Sequence, residues 1–151
     1  MNINEFENIE KVANIIPDDN RDGSLEVEFV AEEVIKDKKV TYAKVVDGDI
    51  KHIFESGNIR ALSRYYKNHD SIQEKGDKAT ETNFAKYLLA KLDIEKGKRV
   101  EIYKLEGTKK ECLNKYYEKE NRYPDENFQA NNEKFPEFIS QAYDKFLKEK
   151  K

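Results

Sequence analysis

The sequence predicts an α+β domain, a mostly antiparallel sheet of about four strands with helices packed on one face, in the order α-β-β-β-α-α-β-α-α. Three observations predict it. The length of 151 residues suits one domain built on a single core, spanning 1–151. Apolar residues recur at helical spacing in several stretches and alternate with polar ones in others. An Asp-Gly pair, Asp47-Gly48, stands between two short runs rich in β-branched and aromatic residues, the strongest short-range sign of a hairpin.

Each element has a local reason. Asn2 can cap a first helix on which Ile3, Phe6, Ile9, Val12, Ala13 and Ile16 fall three and four apart, and Pro17 ends it. Asp18 to Gly23 is turn chemistry. Beyond it Leu25, Val27 and Phe29 alternate with Glu26 and Glu28, as in a strand buried on one side. Val40–Val46 and Ile50–Phe54 form the hairpin, so three antiparallel strands are expected in succession. Ser56 or Asn58 can cap a helix over 57–69, and residues 70 to 79 read as an exposed loop. A helix from about Thr80 directs Phe84, Tyr87, Leu88 and Leu92 inward. A strand over Arg99 to Leu105 completes the sheet. Thr108 and Glu111 then make a capping box for a helix burying Cys112, Leu113, Tyr116 and Tyr117, which Tyr123-Pro124 interrupts. Pro136 sits in the first turn of a last helix carrying Phe138, Ile139, Tyr143, Phe146 and Leu147.

Charge is segregated beneath a net value of −3. Residues 1–33 are acidic, with ten Asp and Glu against two basic residues; residues 34–99 are basic, with 15 Lys and Arg against ten acids. Residues 100–151 balance at 11 of each. Such separation speaks to partners and encounter rates. The single cysteine leaves no intrachain disulfide, and with no start resembling a signal peptide the expected location is cytoplasmic. No apolar run approaches the ~20 residues of a membrane helix, so no membrane association is expected.

Catalytic motifs are sparse. His52, His69 and Cys112 are too scattered for a transition-metal site, and no cofactor is expected. Cys112 falls on the buried face of its helix, where a thiol acts as a small hydrophobe. Gly107, Thr108, Lys109 and Lys110 open a helix after a strand but lack the glycines of a phosphate-cradling loop. Asp47 and Asp49, with His52, offer a minor alternative, a metal-dependent hydrolase.

Two surfaces are better candidates. The acidic face of Glu5, Glu7, Glu10, Glu26 and Glu28 suits a protein partner with a basic surface. Small size, segregated charge and absent catalytic motifs together suggest a non-enzymatic inhibitor from a phage or mobile element, of the anti-CRISPR type. Alternatively, Arg60, Arg64 and Lys67 form one stripe of the 57–69 helix beside Tyr65, where arginine and aromatic rings can hold phosphates and stack on bases. That reading makes the chain a nucleic-acid-binding accessory protein.

Overall fold

A computed structural model describes residues 1–20, 23–30, 38–63, 66 and 81–149. Five strands form one antiparallel sheet: β1 (Glu10–Pro17), β2 (Leu25–Phe29), β3 (Val40–Val46), β4 (Asp49–Ser56) and β5 (Val100–Leu105), in the spatial order β2-β1-β5-β3-β4. Three α-helices accompany it among the described residues: α1 (Glu81–Glu95), α2 (Lys109–Glu120) and α3 (Glu137–Glu149). The α+β class stands, with one strand more than expected.

The first predicted helix is the principal correction. Asn2 does cap, its side chain accepting from the Asn4 N–H and Glu5 completing the box, but the helical turn is a 3-10 segment, Ile3–Glu5, that stops at Phe6. Asn8 then takes a left-handed φ of 53°, and β1 begins at Glu10. Val12, Ile15 and Ile16 are β-branched and lie in a strand paired on both sides, with β2 and with β5. Pairing in the sheet overrides a helical spacing that was ambiguous for so short a run.

β2 matches its reading, with Leu25 and Val27 buried and Glu26 and Glu28 exposed. It pairs with β1, while β3 pairs with β5, so the three strands expected in succession are not neighbours. β5 lies at the centre, antiparallel to both β1 and β3. The hairpin stands: Asp47 and Gly48 both have positive φ, 48° and 87°, the geometry that a two-residue turn between twisted strands requires.

The sheet is covered on both faces, which corrects the one-sided packing. On one face Val12, Ile15, Val27, Tyr42, Val100 and Ile102 pack against Leu62, Tyr66 and the α1 residues Tyr87 and Ala90. On the other, Ala43, Val45, Ile53 and Leu105 meet Ile3, Phe6 and the α2 residues Cys112 and Tyr116. α3 lies outside both, joined to α1 through Phe84 and Phe146 with Leu88, Tyr143 and Leu147 around them. Thr108 and Glu111 form the predicted capping box of α2. No helix among the described residues is long and apolar enough to cross a membrane.

Candidate functional site

β4 is an edge strand, and the chain between α2 and α3, residues 121–136, is laid along it as a strap. In the register of the hairpin Ile53 faces Ala43, leaving the Ile53 backbone groups on the outer side of the strand. The Asn127 side chain takes both: its amide donates to the Ile53 carbonyl at 2.8 Å and its oxygen accepts the Ile53 N–H at 2.9 Å. One residue earlier, the Glu126 N–H donates to the Lys51 carbonyl at 2.8 Å. A side chain and one backbone amide thus supply what a further strand would have supplied, protecting an edge otherwise open to pairing. Asn131 closes the strap on itself, accepting from the Tyr123 N–H and donating to the Tyr123 and Pro124 carbonyls.

The strap brings Glu126 to Lys44, whose Nζ lies 2.8 Å from the carboxylate. Side-chain exposure is 2% for Lys44 and 11% for Glu126, so each charge is tolerable only because of the other. Burial holds the Glu126 carboxyl above its ordinary range, with Lys44 opposing that effect.

Between β4, the strap, α1 and the start of α2 lies a cleft of about 490 Å³. Periodicity places its walls. His52 and Phe54 are two apart on β4 and share a face. Thr82, Ala85, Lys86 and Leu89 recur at three and four on α1, and Lys109 and Leu113 are four apart on α2. The strap contributes Glu126 to Ala130 and Phe135. The imidazole of His52 stacks on Phe54 at 5.4 Å, and Phe128 meets Phe135 edge-on at 5.1 Å.

Charged groups of both signs line the cleft. Glu126 is matched by Lys44, Glu55 at the rim faces Lys39 at 3.7 Å, and Lys86 and Lys109 line the same cleft. The Lys86 ammonium is held below its ordinary pKa by burial and by Lys109. His52 is lowered to about 3, first by burial and then by Lys86, Lys44 and Lys109, so its ring is neutral at any physiological pH. The cleft therefore brings two lysines beside an uncharged imidazole, a group able to accept a proton.

The sequence-predicted residues fall elsewhere or only partly here. Arg60 sits 5.0 Å over the Phe29 ring, in a 3-10 turn Ile59–Leu62; Arg64, Tyr65 and Lys67 lie outside the described residues. Of the acidic set, Glu5 caps the first turn and pairs with Lys119, while Glu28 accepts from the Asn14 amide at 3.0 Å. Glu26 and Glu28 are exposed on the outermost strand, β2, and Glu7 and Glu10 are exposed around the first turn and the start of β1; they are not one helical face. Asp47 accepts the Arg99 N–H at 2.9 Å. No three His, Cys, Asp or Glu side chains converge among the described residues. Cys112 is buried, its thiol pushed up to about 11 by burial and by Glu111. Sequence reasoning missed Lys44, Lys86, Glu126 and Asn127, and placed Lys109 in a capped connection without assigning its side chain a wall of the cleft.

No protein-family model and no curated protein sequence matches the chain. Two solved structures, both nucleases, are similar to the chain. One is a mutant of bacteriophage T4 EndoII, at 22% identity over 67% of each chain with a TM-score of 0.48. The other is the restriction endonuclease HPY188I in complex with product DNA, at 18% identity over 82% of this chain and 84% of that one, also with a TM-score of 0.48. Neighbours of this type overturn the expectation of a non-enzymatic, anti-CRISPR-like inhibitor. The physical reason for the misreading is visible in the fold: the helix that was to gather Glu5, Glu7 and Glu10 on one face is a single turn followed by a strand.

Proposed function

We propose that the chain is a nucleic-acid enzyme that binds a backbone phosphate in the cleft and hydrolyses the phosphodiester. The observation that supports this reading is the pairing of Lys86 and Lys109 with a neutral His52 in one half-enclosed cleft. Lysine ammonium groups in a cleft wall can meet the anion that a phosphodiester supplies at every nucleotide. The same charges oppose the extra negative charge that develops on the phosphoryl oxygens as water attacks. In that step a water oxygen bonds to phosphorus, its proton passes to an imidazole nitrogen of His52, and the bond from phosphorus to the leaving ester oxygen breaks. An ammonium proton from Lys86 neutralises the leaving oxygen. Binding of the phosphate dianionic transition state raises the basicity of the imidazole from its very low resting value, since the charges that depress it are then matched.

The test uses the purified chain with fluorescent single-stranded and duplex DNA and RNA, with and without Mg2+ and Mn2+. Binding that weakens steeply between about 50 and 200 mM salt is expected, with a salt slope reduced by roughly one for each of Lys86→Gln and Lys109→Gln. Cleavage is expected to fall at least about a hundredfold in His52→Ala while that variant still binds, in line with the usual contribution of a general base. Binding indifferent to both lysines, or cleavage indifferent to His52, overturns the assignment of this cleft.

A further inference from the structure

The cleft is larger and more apolar than a proton transfer needs. Its volume of about 490 Å³ lies in the range that encloses small organic ligands. Its walls include the rings of Phe54, Phe128 and Phe135 with the aliphatic Ala85, Leu89 and Leu113. Phe128 and Phe135 brace each other edge-on at 5.1 Å, in a strap fastened to β4 by both hydrogen bonds of the Asn127 side chain.

Several polar groups in these walls are already engaged. Asn127 gives its side-chain amide to Ile53, Glu126 meets Lys44 at 2.8 Å, and Glu55 faces Lys39 at 3.7 Å. His52 differs from them. Its stack on Phe54 at 5.4 Å uses the face of the imidazole, and the two nitrogens at the ring edge make no hydrogen bond among the described residues. The ring is uncharged, so it carries one N–H donor and one bare nitrogen acceptor. It is also mostly buried, and a buried polar group left unpaired is destabilising until a partner reaches it. Exchange of tautomers lets the nitrogen that meets such a partner either donate or accept.

We infer that the cleft binds an uncharged, planar nitrogen heterocycle of the nucleobase class, its face against Phe128 and an in-plane polar atom hydrogen-bonded to His52. Flat rings suit aromatic walls, and the nitrogens and carbonyls at a heterocycle's edge match an imidazole nitrogen as a hydrocarbon ring cannot. Such binding needs neither the hydrolysis proposed above nor the charge of a lysine. The heterocycle can reach the cleft as a free nucleoside or as a base of a single strand.

Titration calorimetry with adenosine and uridine, which carry no phosphate, and with ribose as the control without a base tests the inference at about 50 and 400 mM salt. At least one nucleoside is expected to bind and ribose not to, with an affinity that changes less than about twofold between the two salts, as for an uncharged ligand. His52→Phe keeps a ring on the stack and removes its nitrogens, and is expected to weaken the nucleoside about two- to tenfold, the usual contribution of one hydrogen bond. Phe128→Leu is expected to weaken it at least about fivefold, as loss of base stacking predicts. Nuclear Overhauser contacts from the base protons to the Phe128 ring of the unaltered protein are the second readout, and they decide alone should either variant lose its fold by circular dichroism. Neither nucleoside binding, or binding without those contacts and indifferent to both variants, overturns the heterocycle pocket while leaving the phosphodiester reading to its own test. A single-stranded 12-mer that displaces the bound nucleoside makes a base within a strand the occupant; one that does not makes it a free nucleoside, and the pocket stands in both cases.

Discussion

Removing the Asn127 side chain amide tests how the edge of the sheet and the cleft wall are held. In Asn127→Ala both hydrogen bonds to Ile53 disappear, and they are to the backbone of a residue with no exposed surface. Water cannot readily replace them there. Each net bond contributes about 0.5–1.5 kcal/mol, and each buried group left unpaired costs about 1–3 kcal/mol, so a loss near 3 kcal/mol is expected once partial relaxation of the strap is allowed for. With a urea dependence of about 2 kcal/mol per molar for a chain of this size, the unfolding midpoint falls by about 1.5 M. In a thermal scan the same loss is about 6–12 °C. Asn127→Asp adds a directional check. Its carboxylate still accepts the Ile53 N–H but opposes the Ile53 carbonyl, so it is at least as damaging as alanine at neutral pH. As the pH falls and the acid protonates, its hydroxyl can donate to that carbonyl, and the deficit narrows. A midpoint shift below about 0.25 M for Asn127→Ala, or a deficit in Asn127→Asp that widens on acidification, refutes the reasoning.

Lys44→Met leaves Glu126 buried without its cation and is expected to cost about 3–5 kcal/mol, most of it recovered when Glu126→Leu is added; additive losses in the double-mutant cycle count against the pairing. His52 has a folded pKa of about 3 against an ordinary 6.5, so the folded state takes up fewer protons. Its contribution is full above pH 6.5 and is lost as the pH falls from there toward 3, and its ring resonances stay flat between pH 5 and 8; a nuclear magnetic resonance inflection near 6.5 contradicts the environment described. Phe84→Ala removes a ring stacked on Phe146 at 5.1 Å and tilted against Tyr143 at 5.6 Å. It is expected to cost about 3–4 kcal/mol and to raise amide exchange across 137–149 more than in β5, and uniform exchange instead would mean that α3 is held elsewhere.

What was legible in the sequence is what is decided locally. The Leu25-Val27-Phe29 alternation, the Asp47-Gly48 turn and the Thr108-Glu111 box each specify their geometry within a few residues, and each stands in the fold. The segment from Ile3 to Ile16 was misread because its spacing fits a helix while its β-branched content fits a strand, and only partners β2 and β5 decide between them. Strand order was illegible for the same reason: β5 enters between β1 and β3 through pairings 54 to 94 residues apart in sequence. The cleft was hidden most completely. Asn127 and Glu126 meet their partners across 74 and 82 residues, and nothing in Pro-Asp-Glu-Asn marks that segment as an edge cover. Lys86 does share a helical stripe with Thr82 and Leu89, but a lysine on a charged helix is ordinarily solvated surface.

Lys109 separates stability from function. It is the first residue of α2, close to the positive pole of that helix, where a cation is unfavourable, and it also lowers the Lys86 pKa. On both counts its charge works against the fold, and an acidic or neutral residue there would be better placed. Lys109→Gln is therefore expected to stabilise the protein by about 0.3–1 kcal/mol at pH 7. Part of the gain has a defined pH dependence. Lys86, with its folded pKa lowered, is a liability while it is charged in the folded state, so the benefit of removing Lys109 is present at neutral pH and fades as Lys86 deprotonates at higher pH. The same variant is expected to weaken oligonucleotide binding and reduce its salt slope. Urea titrations at pH 7 and 10, run beside binding at two salt concentrations, check both halves at once. Stability gained with binding lost would mean that the cation is kept for the anion it meets. A variant less stable than the parent would place Lys109 among the structural residues and remove it from the phosphate site.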